Sequence, residues 1–264
     1  MSDPAHRPTE AVPRPDKNFA RATQLRALTP ARVGLGRTGV SLETSDLLDF
    51  QRCHAQARDA VHARLESATL AAALESLTGG AVLRLHSAAI DRATYLQRPD
   101  LGRTLDDPSR NLLAEAAPDS CDASLVVADG LSALAVERHM PPLLAEFLPH
   151  LKNWRLAPLC VVEQGRVAIG DEIGAALGAQ LVVVLIGERP GLSSPDSLGA
   201  YITWQPKPGR TDAERNCISN IRPEGLSYAQ AAAQLGFILA AARRLRLTGV
   251  ALKEQATRTK EIES

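Results

Sequence analysis

Aromatic residues are scarce in this chain: four Phe, three Tyr and two Trp, 3% of 264 residues. That leaves little material for base-stacking platforms or a carbohydrate-binding face. Net charge is missing as well, because 30 Lys and Arg balance 30 Asp and Glu. No strong field exists to hold a polyanion or an anionic membrane, so neither nucleic acid nor a membrane is expected as a partner. The most apolar runs, residues 181–187 and 229–242, fall well short of the roughly 20 residues that cross a bilayer. Asp3, Arg7, Glu10 and several prolines interrupt any apolar core of a signal peptide, so a cytosolic chain is expected. Cys53, Cys121, Cys160 and Cys217 form no C-x-x-C pair and no Cys/His cluster of zinc-binding spacing. Reduced thiols and no metal site follow.

What is present suits a globular fold: 45% of residues are hydrophobic, enough for a sizeable core. Residues 1–20 carry Pro4, Pro8, Pro13 and Pro15 among charges and read as a disordered arm. A helical N-terminal region is expected over 21–117. Within it, Ser45 serves as an N-cap, Leu47, Leu48, Val61, Leu65, Leu70, Leu74 and Leu77 mark an amphipathic helix with one break, and Gly79 and Gly80 end it. Residues 91–110 alternate acids and arginines around Pro99 and Gly102, which reads as a solvated connector.

From residue 118 the pattern changes to short Val- and Leu-rich runs alternating with helical windows. That pattern predicts an α/β domain over 118–250, a Rossmann-like parallel sheet with helices on both faces, followed by a tail over 251–264. Strands are expected at 124–128, 159–163, 181–187 and 201–204, the first three central. Helices are expected near 142–150 and 171–177 and over 228–247.

Gly34-Leu35-Gly36-Arg37-Thr38-Gly39 matches the G-x-G-x-x-G dinucleotide fingerprint. The fingerprint needs a strand running into the glycines and a helix leaving them. Here Pro30 cuts the preceding strand short and Val40-Ser41-Leu42 continues extended, so a glycine-rich connection is the better explanation.

In an open parallel sheet, ligands bind beyond the carboxyl ends of the strands. Asp129-Gly130, Gly165-Arg166-Val167 and Glu188-Arg189-Pro190-Gly191 sit at those ends, and a long irregular stretch expected over 209–225 adds Cys217, Ser219 and Asn220. No histidine, no G-x-S-x-G elbow and no acidic pair of metal-ligand spacing lies in these loops, so no residue is assigned a catalytic or metal-ligating role. From position alone Glu188 and Arg189 read as a loop ion pair or a ligand contact, Asp129 as the cap of the following helix, Cys217 as a small buried hydrophobe and Arg166 as solvated.

Six motifs in order carry a more specific signal. Thr29-Pro30-Ala31-Arg32-Val33 with Gly36-Arg37-Thr38-Gly39, Tyr95-Leu96-Gln97-Arg98-Pro99-Asp100-Leu101-Gly102-Arg103, Asp129-Gly130-Leu131-Ser132, Gly165-Arg166-Val167, Gly187 to Gly191 and Cys217-Ile218-Ser219-Asn220 together resemble the ethanolamine ammonia-lyase small (light) subunit family. The similarity spans roughly residues 25 to 245.

The resemblance implies a two-subunit lyase whose large subunit, a β/α barrel, holds ethanolamine and most catalytic groups. The small subunit, inactive alone, completes the site of adenosylcobalamin, whose radical chemistry converts ethanolamine to acetaldehyde and ammonia. It places the small-subunit cobalamin contacts at Val167, Glu188 and Cys217, with Asp129, Arg166 and Ser219 as further candidates on the same rim. Cys217 is not expected to ligate cobalt. The chain has no D-x-H-x-x-G segment, which implies base-on cofactor binding. Family members work in free cytosol or inside bacterial microcompartments, and both addresses stay open. Two other classes also stay open: an assembly protein whose rim binds only a protein partner, and an NAD(P) oxidoreductase using the early glycines.

Overall fold

The computed structural model describes residues 24–29, 31–118 and 120–252. The arm expected over 1–20 and nearly all of the tail expected over 251–264 lie outside the described residues. The chain divides into two compact units, residues 1–55 and 56–264. In the first, the glycine run leads into two short antiparallel strands, β1 (Arg37–Thr38) and β2 (Ser41–Leu42), turned through Gly39 at φ 66°. A side chain is disfavoured at that angle. The glycines therefore open a hairpin and not the strand-to-helix turn of a dinucleotide site. Helix α1 (Thr44–His62) follows, starting at Thr44 and not after a Ser45 cap.

The single break expected in the amphipathic helix falls between His62 and Ser67. Helix α2 (Ser67–Thr78) ends at Gly79, which sits at φ 68° and donates its N–H to Glu75 O at 2.9 Å. Strand β3 (Val82–His86), helix α3 (Arg92–Gln97) and helix α4 (Asp107–Ala116) come next. The expectation of a solvated connector over 91–110 is overturned, because Arg92, Tyr95, Gly102 and Leu105 are buried. Its acids act as helix caps: Asp91 accepts from Thr94 N at 2.7 Å and Asp106 from Ser109 N at 2.9 Å.

The α/β portion proper runs β4 (Cys121–Ala128), α5 (Ala133–Phe147), β5 (Leu159–Glu163), α6 (Ile169–Ala176), β6 (Ala179–Gly187), β7 (Leu198–Trp204), β8 (Arg215–Ile221) and α7 (Tyr228–Leu245). One six-stranded sheet results, in the order β3-β5-β4-β6-β7-β8. The first four strands are parallel and β7 and β8 are antiparallel additions at one edge. The three expected central strands, β5, β4 and β6, are adjacent. Alternate residues of β4 and β6 face opposite layers: Leu125, Val127, Val183 and Leu185 meet Leu74 of α2, Met140 of α5 and Leu235 of α7. Val126, Ala128, Val182 and Val184 meet Leu113 of α4 and Ile169 and Ile173 of α6. This is the Rossmann-like arrangement with helices on both faces, each fully buried aliphatic side chain contributing on the order of 1.5–3 kcal/mol. Among the described residues no helix is long and apolar enough to cross a membrane.

Two local expectations change. Helix α5 begins nine residues before the expected position at 142, because it carries Pro141 and Pro142 in its interior, residues that read as a helix start. The stretch 209–225 is not an irregular loop, since it contains β8.

Candidate functional site

The sheet order creates a crevice. From β4 the chain crosses through α5 to β5 on one side, whereas from β6 it continues to β7 on the other. Connections that diverge from neighbouring strands leave a gap beyond their carboxyl ends, which is where open α/β sheets take ligands. A cavity of about 440 Å³ occupies that gap. Gly130 and Leu131 after β4, Arg166 and Val167 after β5, and Glu188 and Arg189 after β6 line it, and Tyr95 and Tyr201 close its sides.

Two glycines let the β4 and β6 ends approach each other. Gly130 sits at φ 56°, and a Cβ there would stand 2.2 Å from Gly187 O. A Cβ on Gly187 would in turn stand 2.1 Å from Ser132 O. Leu131 N donates to Gly187 O at 2.9 Å, tying the two loops together. Ser132, not Asp129, caps α5, accepting from Ala135 N at 3.3 Å.

Asp129 has a different task. Its Oδ1 accepts from Gly165 N at 3.0 Å and its Oδ2 lies 3.3 Å from the Arg92 guanidinium, so it links the β4, β5 and α3 elements beneath the cavity. Complete burial pushes its carboxyl up to about 6, against the attraction of Arg92. Arg92 also donates to Gly130 O at 2.9 Å and Gln164 Oε1 at 3.2 Å, while its second terminal nitrogen is buried without a partner among the described residues. Tyr95, fully buried, donates its hydroxyl to Gly165 O at 3.0 Å. Two guanidinium groups lie over its ring, Arg92 at 4.8 Å and Arg166 at 4.2 Å from the centroid. Arg166 is therefore stacked and half-buried, not freely solvated, and its backbone N–H is held by Gly102 O at 2.7 Å.

Glu188 does not pair with Arg189. Its Oε2 accepts from Ser197 Oγ at 2.7 Å and from the Asn220 backbone N–H at 3.0 Å. Beside it, burial raises the Tyr201 phenol well above its ordinary range, and the neighbouring Cys217 thiol adds to the effect, so Tyr201 is a neutral hydroxyl. Cys217 faces Tyr201 across the β7–β8 ladder and its Sγ lies 3.2 Å from Ser219 Oγ. It is exposed, not a buried hydrophobe.

The structure thus brings Val167, Glu188 and Arg166 onto one cavity, sets Cys217 and Ser219 on the strand just beyond it, and seals Asp129 below. Arg92, Tyr95, Ser197 and Tyr201 join the site without having been expected there from the sequence. Tyr95 lies within one of the six motifs, but the others carry no spacing signal of their own.

Comparison with known proteins points to one family. The family model for ethanolamine ammonia-lyase light chain (EutC) matches residues 20–253. A Ralstonia nicotianae protein named ethanolamine ammonia-lyase small subunit is 60% identical over 237 residues, covering 88% of this chain and 87% of that relative. Proteins of the same name from Pseudomonas fluorescens (strain Pf0-1) and Xanthomonas campestris pv. campestris (strain B100) are 58% and 57% identical, covering 88% and 89% of this chain and 86% and 88% of their own lengths. The chain belongs to the ethanolamine ammonia-lyase light-chain, or small-subunit, family.

Proposed function

We propose that this chain is the small subunit of a hetero-oligomeric, adenosylcobalamin-dependent ethanolamine ammonia-lyase and that its cavity closes one side of the cofactor site against the large subunit. When bound, adenosylcobalamin supplies the radical chemistry that turns ethanolamine into acetaldehyde and ammonia. The observation that carries the proposal is the convergence of Val167 and Glu188 on the crevice between the β4 and β6 ends, with Cys217 two strands from β6, beside the cavity-lining Tyr201.

The donor and acceptor set fits the cofactor. Among the described residues Glu188 Oε1 has no protein partner, because both hydrogen bonds to that carboxylate end on Oε2. An ionised carboxylate oxygen is an acceptor only, suited to a corrin side-chain amide N–H or a ribose hydroxyl. Val167 gives an apolar wall, and Cys217 a compact, polarizable surface where a larger side chain would collide with the macrocycle. A cavity of about 440 Å³ is at the small end for a drug-sized ligand, so it takes only an edge of a corrinoid and leaves the rest to a partner surface. That is the division of labour expected of a small subunit without catalytic groups of its own. The chain has no D-x-H-x-x-G histidine, so this subunit would supply no side chain to replace the cofactor's own base. Four unbridged cysteines suit a reducing, cytosolic compartment.

Co-expression with a large subunit, followed by assay of acetaldehyde from ethanolamine and adenosylcobalamin, tests this. Activity is expected only from the mixture, and Glu188→Ala should weaken cofactor binding. Full activity from the large subunit alone would overturn the assignment and favour a protein-only assembly role.

A further inference from the structure

The two oxygens of Glu188 have different fates. Oε2 is held twice, by the Ser197 hydroxyl at 2.7 Å and the Asn220 N–H at 3.0 Å. Oε1 instead lies over Gly199, where a Cβ would stand 3.1 Å from Oε1, 3.2 Å from Glu188 Cγ and 3.3 Å from Cε2 of Tyr201. Such spacing is tighter than most real Cβ contacts, so any side chain at 199 would crowd the carboxylate and Tyr201 together.

Each holder is itself held. Ser197 is buried, and its backbone O accepts from Glu188 N at 2.9 Å, so the two residues are joined through both main chain and side chain. The loop between them is pinned by Ser132 Oγ to Pro195 O at 3.1 Å, Arg138 to Asp196 at 2.8 Å and Arg222 to Ser193 O at 3.2 Å. Asn220 adopts φ 59°, a left-handed conformation that Asn tolerates better than most side chains. Its O accepts from Leu226 N at 2.8 Å and its Oδ1 from Arg222 Nε at 3.1 Å. An uncommon backbone conformation persists when its surroundings over-determine it, and such positions cluster at ligand clamps.

We infer that Ser197, Gly199 and Asn220 are positioning residues of the cofactor site, locking Glu188 by one oxygen so that the other is presented, pre-oriented, to a hydrogen-bond donor on the cobalamin. This rests on the function proposed above. A locked carboxylate loses little side-chain freedom on binding, which is where pre-organisation gains affinity. None of the three residues needs to touch the cofactor.

The test uses the two-subunit complex and hydroxocobalamin as a non-reactive probe, with its Kd read by equilibrium dialysis, beside kcat and KM for adenosylcobalamin. Ser197→Ala should weaken hydroxocobalamin binding about tenfold, the factor that corresponds to about 1.4 kcal/mol for one charge-assisted hydrogen bond. Gly199→Ala should weaken it at least as much, and kcat at saturating cofactor should stay within about twofold in both. Ser197→Thr keeps the hydroxyl and Asn220→Gly keeps both the N–H and the left-handed backbone, so both should bind within about threefold of the wild type. Asn220→Val, at an exposed position, disfavours that backbone without opening the core and should weaken binding several-fold. If Glu188→Ala binds poorly while Ser197→Ala, Gly199→Ala and Asn220→Val bind as the wild type does, the lock is unnecessary and this inference fails alone. A fall in kcat with Kd unchanged, equal in Ser197→Ala and Ser197→Thr, would also overturn it in favour of a purely structural role. Failure of the wild-type complex to bind hydroxocobalamin would instead remove the underlying function.

Discussion

Arg215 of β8 and Asp171 of α6 form a two-point ion pair at 2.7 and 2.6 Å, with side chains only 2% and 1% exposed. Thr203 Oγ1 and Arg210 O accept further bonds from the same guanidinium. The pair joins the edge strand that carries Cys217 and Asn220 to the helix that follows Val167, so two parts of the candidate site share one buried fastening. Removing Arg215 leaves Asp171 sealed from water, and removing Asp171 leaves Arg215 buried with the exposed Asp212, 3.6 Å away, as its remaining acid. Arg215→Ala or Asp171→Ala should therefore cost about 3–5 kcal/mol in urea unfolding, whereas Arg215→Met combined with Asp171→Leu should recover much of the loss. A loss below about 1 kcal/mol in both single variants would contradict a desolvated pair.

Asp129 predicts a pH dependence with a definite sign. Burial raises its folded value from 3.8 to about 6. A raised carboxyl contributes most below about 3.8, where it is protonated in both states, and that contribution is lost as pH rises through about 6. Asp129→Asn has nearly the same shape and cannot titrate. The stability of wild type relative to this variant should fall between about pH 4 and pH 7, by up to about 3 kcal/mol, because each pH unit separating the folded and unfolded values is worth about 1.4 kcal/mol. The opposite slope in paired urea titrations would mean that attraction to Arg92 outweighs the loss of hydration.

Elements of uniform burial are the ones legible in the sequence. All eight residues of β4 are buried, and a strand covered on both faces appears as an unbroken apolar run. The edge strands hide for the converse reason: β8, Arg215-Asn216-Cys217-Ile218-Ser219-Asn220-Ile221, mixes buried and exposed polar residues, and β3 carries Arg84 and His86 within five residues. The first reads as a loop and the second falls within a region read as helical until pairing partners are known. Arg92 was hidden by its chemistry, since an arginine in a mixed-charge run is ordinarily solvated, and only the distant Asp129, Gly130 and Gln164 make its burial tolerable. Glu188 and Val167 were legible through strand-end position and motif. The hold of Ser197 on Glu188 was not, because it depends on how the intervening loop closes.

The crossing of Gly130 and Gly187 gives a backbone prediction. Gly130→Ala would put a side chain at φ 56° and 2.2 Å from Gly187 O, where backbone and not a flexible side chain must move. The left-handed strain costs roughly 1–2 kcal/mol, and the displaced Gly187 carries Glu188 with it. Urea unfolding should report a loss of at least this size, and hydroxocobalamin binding by the two-subunit complex should weaken as well. A variant that is destabilised yet binds the corrinoid normally would show that Glu188 does not depend on this crossing.

The four cysteines differ enough in environment for reagent labelling to test the placement of Cys217. Cys121 and Cys160 are buried, Cys53 is partly exposed and Cys217 is exposed. Burial pushes the Cys160 thiol up to about 12 and that of Cys121 upward too, and only the thiolate reacts. Iodoacetamide followed by mass spectrometry should therefore mark Cys217 first in the folded chain, Cys53 next, and Cys121 and Cys160 only on unfolding. The Cys217 rate should then fall several-fold in the complex with large subunit and cobalamin, and fall further with cobalamin than with the large subunit alone. If the cofactor adds nothing to the protection given by the partner, Cys217 belongs to the subunit interface and not to the cofactor site, and Val167 and Glu188 remain to carry it.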